Sequence, residues 1–108
     1  EEGRKLAKND GVYLEELDIT VLELTIDAIN SLGLDSKTSG ILVTEVGDKN
    51  ENLLKNDVII QVSSEKIKDI NSFEKIISNS IKLNRDKLLL RVIRDGNEFW
   101  LINPFVIE

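Results

Sequence analysis

The chain has 108 residues, enough for one domain of the commonest size and too few for a second core. Fourteen Lys and Arg against twenty Asp and Glu leave a formal net charge of −6, spread along the chain. That balance argues against a nucleic-acid backbone as partner, which requires a clustered basic face. There is no cysteine and no histidine, so a disulfide framework, a Ser-His-Asp triad, a Cys-His pair and a conventional zinc site are all excluded within these residues.

No apolar run reaches the length of about 18 to 20 residues that spans a bilayer. The chain begins at Glu1 and contains no methionine, which reads as a piece of a longer protein. Residues 1–12, charged and small with an isolated leucine, read as a linker or N-terminal arm, and residues 13–108 as the domain.

In chain order, LDITVLELT predicts a first strand from Leu17, with Leu17, Ile19 and Val21 on one side and a bulge near Val21-Leu22 where the alternation changes phase. Thr25 is then a helix N-cap, and Ile26, Ile29 and Leu32 share one face of a helix of about two turns that Gly33 stops. Residues 39–46, SGILVTEV, read as a strand and GDKNEN as a loop. The run DKNE lacks the alternating oxygen ligands, central glycine and terminal glutamate of a calcium loop. Neither a metal nor a cofactor is expected.

The stretch NLLKNDVIIQV reads as a turn into a strand, with Asn56 tolerating positive φ and Asp57 accepting hydrogen bonds from turn amides. A polar turn at SSEK and a brief extended IKDI lead to the strongest helical pattern, NSFEKIISNSI. Ser72 or Asn71 caps it, and Phe73, Ile76, Ile77 and Ile81 share one face. The chain closes as a hairpin turning at Asp95-Gly96, with Leu88, Leu90 and Val92 facing partners among Phe99, Trp100, Leu101 and Ile102. These elements make a small α+β domain, most simply a partly open antiparallel β-barrel or sandwich capped by two helices. The remaining enzymatic option, a carboxylate pair drawn from Glu15, Glu16 and Asp18, reads as a solvated turn, so no catalytic residue is assigned.

The pieces GILVTEV, NLLKNDVIIQVSSEKIKDINSFEKI and KLLLRVIRDGNEFWL, in that order, resemble the PDZ domain of HtrA (Do, DegP-like) serine proteases, most closely the second, C-terminal one. Asn52 and Asn56 stand where the family segment G-L-x-x-G-D-V-I has glycines, while Leu53, Asp57, Val58 and Ile59 match it. Leu17-Asp18-Ile19 and the L-G-L at Leu32 to Leu34 fit the family's front half, so the resemblance spans roughly residues 13–105.

The resemblance implies a PDZ-like fold and a noncatalytic peptide-binding or regulatory module of an envelope or periplasmic serine endopeptidase in protein quality control. Its parent would be homo-oligomeric. A peptide would add as a strand beside Ile19, Thr20, Val21 and Leu22. Its terminal carboxylate would lie on backbone N–H groups of Leu17-Asp18-Ile19, and Phe73, Ile76 and Ile77 would form the opposite wall. Contact of this size sits below about 1,200 Å², with micromolar affinity, roughly −8 kcal/mol.

Asp18 departs from the family glycine, and with Glu15 and Glu16 it opposes a peptide carboxylate unless Arg4, Lys5 and Lys8 of the arm fold back. Capture of chain ends is therefore expected to be impaired. The competing reading is a structural domain that contacts other domains of the same protease, which concentration-dependent association or an already filled groove would favour.

Overall fold

The computed structural model describes residues 11–106. Nine elements follow one another: β1 (Val12–Leu14), β2 (Ile19–Glu23), α1 (Ile26–Ser31), β3 (Ile41–Val46), β4 (Val58–Val62), β5 (Glu65–Lys66), α2 (Ile70–Lys82), β6 (Lys87–Arg94) and β7 (Asn97–Pro104). All the strand pairs are antiparallel, in the order β1-β2-β3-β4-β6-β7, with β5 added to β4. The domain is α+β, a seven-stranded sheet with two helices. Between its two ends, β1 and β7, the Val106 N–H donates to Glu16 O at 2.8 Å, so the chain just beyond β7 meets the turn between β1 and β2.

β1 begins inside the segment read from sequence as an arm; residues 1–10 of that arm, including Arg4, Lys5 and Lys8, lie outside the described residues. Val12 and Leu14 turn inward on β1 while Tyr13 points out, the period-two alternation of a strand. The register of β2 shifts between Thr20 and Val21, one residue ahead of the position expected, but the bulge is carried by the partner strand. There Thr44 is the extra residue of β3, and its hydroxyl donates to Thr20 O.

α1 starts as the sequence predicts, with the Thr25 hydroxyl accepting from the Ala28 N–H. It stops at Gly33, whose φ is 69° and after which the Leu34 N–H returns to Ile29 O. Only Ile29 is buried on it, and Ile26 is exposed, since a helix of six residues has room for little of an apolar face. The strand expected after the SSEK turn lies instead at Glu65–Lys66, since the chain reverses within two residues, at Ser63 and Ser64.

α2 is capped two residues before Asn71 and three before Ser72, the two caps expected from sequence. Asp69 is the N-cap, its carboxylate accepting from the Ser72 N–H while the Ser72 hydroxyl faces back to the cap, a reciprocal capping box. The buried face is therefore Ile70, Phe73, Ile77 and Ser80, and Ile81, expected on it, is rotated out to 45% exposure.

The β6–β7 hairpin turns at Asp95-Gly96 with φ of 54° and 82°, the left-handed pair that a two-residue connection demands. Leu90 faces Leu101 and Val92 faces Phe99 on the inner side. Trp100 and Ile102 alternate onto the outer side and are exposed, so only two of the four expected partners meet the core. One core gathers the inner faces of the sheet and of α2: Leu14, Leu17, Ile19, Val21, Phe73 and Leu90 are among its fully enclosed members.

Candidate strand-addition site

β2 has two edges. One pairs with β3, and the other is the edge on which sequence places an incoming strand. Among the described residues that second edge carries β1, with Val12 opposite Val21, Tyr13 opposite Thr20 and Leu14 opposite Ile19. The four-residue connection Glu15–Asp18 folds β1 back along it.

The turn at Leu17–Ile19 is held by its own chain. The Leu17 N–H donates to Leu14 O at 3.1 Å. The Asn50 side-chain amide donates to Leu17 O at 2.9 Å, while its Oδ1 accepts from the N–H groups of Asn52 and Leu53. Asn50 is buried; its amide bond to Leu17 O clamps the turn to the loop after β3, and the two bonds to its Oδ1 hold that loop in shape.

Asp18 adopts φ 55°, a left-handed conformation that an aspartate tolerates and a glycine adopts without strain. Its carboxylate accepts from the Tyr13 hydroxyl at 2.6 Å and from the Lys49 N–H at 3.0 Å. The Tyr13 hydroxyl above all, then the Lys49 amide and the Lys49 charge, outweigh partial desolvation and hold the Asp18 carboxyl below its ordinary value. The negative charge is thus firmly present at neutral pH beside the turn amides.

Leu17, Ile19, Val21, Phe73 and Ile77 come together in the core with Val12 and Leu14 of β1. Thr20 and Leu22 alternate to the other face of β2 and are half-buried. Ile76 is half-buried at the rim of the core and lines a shallow cleft of about 490 Å³ between α2 and β5, away from β2. α2 is tied to the far end of β2 by Glu23, whose carboxylate accepts from the Ile70 N–H at 3.2 Å. Each fully buried Leu or Val on this edge is worth roughly 1.5–3 kcal/mol relative to exposure, so β1 is held by its side chains as much as by its ladder.

Val12, Tyr13, Leu14, Glu23, Gly47, Lys49 and Asn50 shape this site and were not singled out from sequence. A signal existed for β1: apolar residues at 12 and 14, a four-residue connection carrying three carboxylates, then an alternating strand is a hairpin pattern. For Asn50 the signal was an asparagine two residues before a new backbone turn, the spacing of an Asx-turn. Among the described residues no three carboxylates gather to hold a metal ion.

No protein-family model and no curated protein matches the chain.

Proposed function

We propose that this chain is a noncatalytic PDZ-type interaction domain of the kind carried by HtrA serine endopeptidases, and that it takes extended peptide segments as strands added to β2. One observation carries the reading. A short extended segment already lies antiparallel along the outer edge of β2, with two apolar side chains in the core that β2 and α2 share. This edge therefore has the geometry of strand addition, in which ladder bonds supply affinity and alternate side-chain pockets supply selectivity. The resemblance of the ordered sequence pieces to that family supplies the rest: a parent protease in protein quality control at the cell envelope, homo-oligomeric, with catalysis outside these residues. A chain without histidine or cysteine cannot assemble a Ser-His-Asp or Cys-His site of its own.

A second reading has its own support. The edge of β2 is filled by β1, and Leu89, Trp100 and Ile102 are 41%, 44% and 54% exposed on the outer face of the β6–β7 hairpin. A domain that docks against other domains of its protease, without taking free peptides, fits those two facts.

NMR titration with a short apolar peptide, as free acid and as amide, separates the readings. Shifts confined to residues 17–24 and α2 support strand addition. No shift with either peptide, together with concentration-dependent sedimentation, supports the assembly domain. An Asp18→Gly variant with unchanged affinity for the free acid removes the basis for impaired chain-end capture.

A further inference from the structure

β1 reproduces, within the chain, each contact that an added strand would make on β2. Its three residues run antiparallel to Ile19–Val21. Its last apolar side chain, Leu14, is fully enclosed in the core beside Ile19. The carbonyl oxygen of that same residue accepts the turn N–H of Leu17, the kind of bond a terminal carboxylate would seek there. A latch fastens the segment from outside, the Tyr13 hydroxyl on the Asp18 carboxylate.

The occupant is an internal stretch of chain and not a chain end. Beyond Leu14 it continues into Glu15 and Glu16, and with Asp18 these put three carboxylates within the four residues that follow Leu14, the turn on which a terminal carboxylate would lie. Like charge on that turn opposes a free C-terminus more than it opposes a neutral carbonyl.

We propose that β1 is a resident ligand of its own domain, and that the partner able to displace it is an internal extended segment with apolar side chains at alternate positions, as in Val-x-Leu. This rests on the strand-addition reading and adds to it both a regulation and a partner class. A tethered segment acts at an effective concentration on the order of millimolar, so it masks a micromolar site from all but abundant or closely tethered partners. Apparent affinity falls by the fraction of time that β2 is uncovered.

The test uses the full chain, wild type, Val12→Asp and Tyr13→Phe. Val12→Asp sets a charge at the buried first position of β1, and Tyr13→Phe removes the hydroxyl of the latch. Neither alters β2. The probe is a fluorescent octapeptide with both ends blocked and Val-Tyr-Leu at its centre; controls are the same peptide truncated after Leu as a free acid, and a scrambled version with the apolar residues adjacent. Affinity is read by anisotropy and the exposure of β1 by amide hydrogen exchange.

The expected result is that the variants exchange the amides of residues 12–14 faster and bind the blocked peptide at least about tenfold tighter than wild type. The free acid should bind no better than the blocked peptide. Saturating peptide should also raise exchange at residues 12–14 in the wild type, which decides the matter even where Val12→Asp fails to fold. Binding that leaves those amides protected, with variants no tighter than wild type, overturns the resident-ligand inference and leaves peptide binding itself standing. Faster exchange in a variant with no binding by any of the proteins overturns strand addition, and this inference with it. A clear preference for the free acid overturns the partner class.

Discussion

Gly47 and Asp18 occupy one another's space: the Gly47 N–H donates to Asp18 O at 2.8 Å, and a Cβ built on Gly47 would collide with the Asp18 carboxylate. The aspartate side chain fills the gap that a glycine on the neighbouring loop leaves open. Gly47→Ala should therefore push the carboxylate off the Lys49 N–H and the Tyr13 hydroxyl and lower the urea midpoint. Adding Asp18→Gly should recover much of that loss, because the colliding group is gone and a glycine suits φ 55°. The double variant is expected to be more stable than Gly47→Ala alone; strict additivity in the cycle would show that the two positions are not in conflict.

Asn56 lies at φ 76°, with its N–H on Val43 O at 2.8 Å, at the turn that feeds β4. Asparagine accepts this conformation, glycine accepts it without strain, and a β-branched side chain does not. Asn56→Gly should stay within about 0.5 kcal/mol of wild type, since relief of the left-handed cost is offset by a more flexible unfolded chain. Asn56→Val should lose about 1–2 kcal/mol. Chemical denaturation with a constant m-value checks both.

These turns were legible because their rules are local. Asp95-Gly96 and Asn56 each carry their conformational demand in one or two residues, and α2 repeats its apolar spacing often enough to be found. The outward turn of Trp100 and Ile102 was harder to read, because a strand's facing depends on register against its partner, and here Leu90 chose Leu101. β1 was missed for a related reason. Three residues hold a single period of alternation, and what makes Val12–Leu14 a strand is the waiting edge of β2. The sequence named the strand at the heart of the candidate site but not its neighbour, nor the Asn50 amide that clamps the turn from 33 residues away.

Asp18 and Asp69 both have carboxyl groups held below their ordinary value. For Asp18 the Tyr13 hydroxyl and Lys49 amide are responsible, and for Asp69 the N–H and hydroxyl of Ser72. A group depressed in the folded state contributes stability that is fully present above the unfolded value of about 3.9 and is lost as pH falls through the lower folded value. Thermal midpoints should thus be flat with respect to these two groups above about pH 5 and fall on acidification below about pH 4. Asp69→Asn and Asp18→Asn keep an accepting oxygen but do not titrate, so each should flatten its share of that acid limb. An acid limb unchanged in the double variant would assign the loss to other carboxylates.

Asp57 answers to Arg94 across 37 residues of sequence. Its Oδ1 accepts from Arg94 Nε at 2.9 Å and its Oδ2 from Nη2 at 2.7 Å, a two-pronged pair, and Oδ2 also takes the Leu54 N–H. The Asp57 side chain is 1% exposed, whereas Arg94 keeps 28%, bonds Asn52 O and lies over the Phe99 ring. The carboxylate, chiefly through its hydrogen bond, raises the Arg94 pKa further. Because the enclosed partner is the anion, the two truncations should differ from an ordinary surface pair. Arg94→Met keeps the stem against Phe99 but leaves Asp57 buried without a cation, and should lose about 3 kcal/mol, the low end for a broken buried pair because the guanidinium was partly solvated. Asp57→Asn retains a neutral acceptor for the Leu54 amide and should lose less. Arg94→Lys should fall between wild type and methionine, since an ammonium cannot make the two-pronged contact. Urea unfolding of the three variants checks the ranking; a loss in Arg94→Met below about 1 kcal/mol would place the pair with solvent-exposed salt bridges.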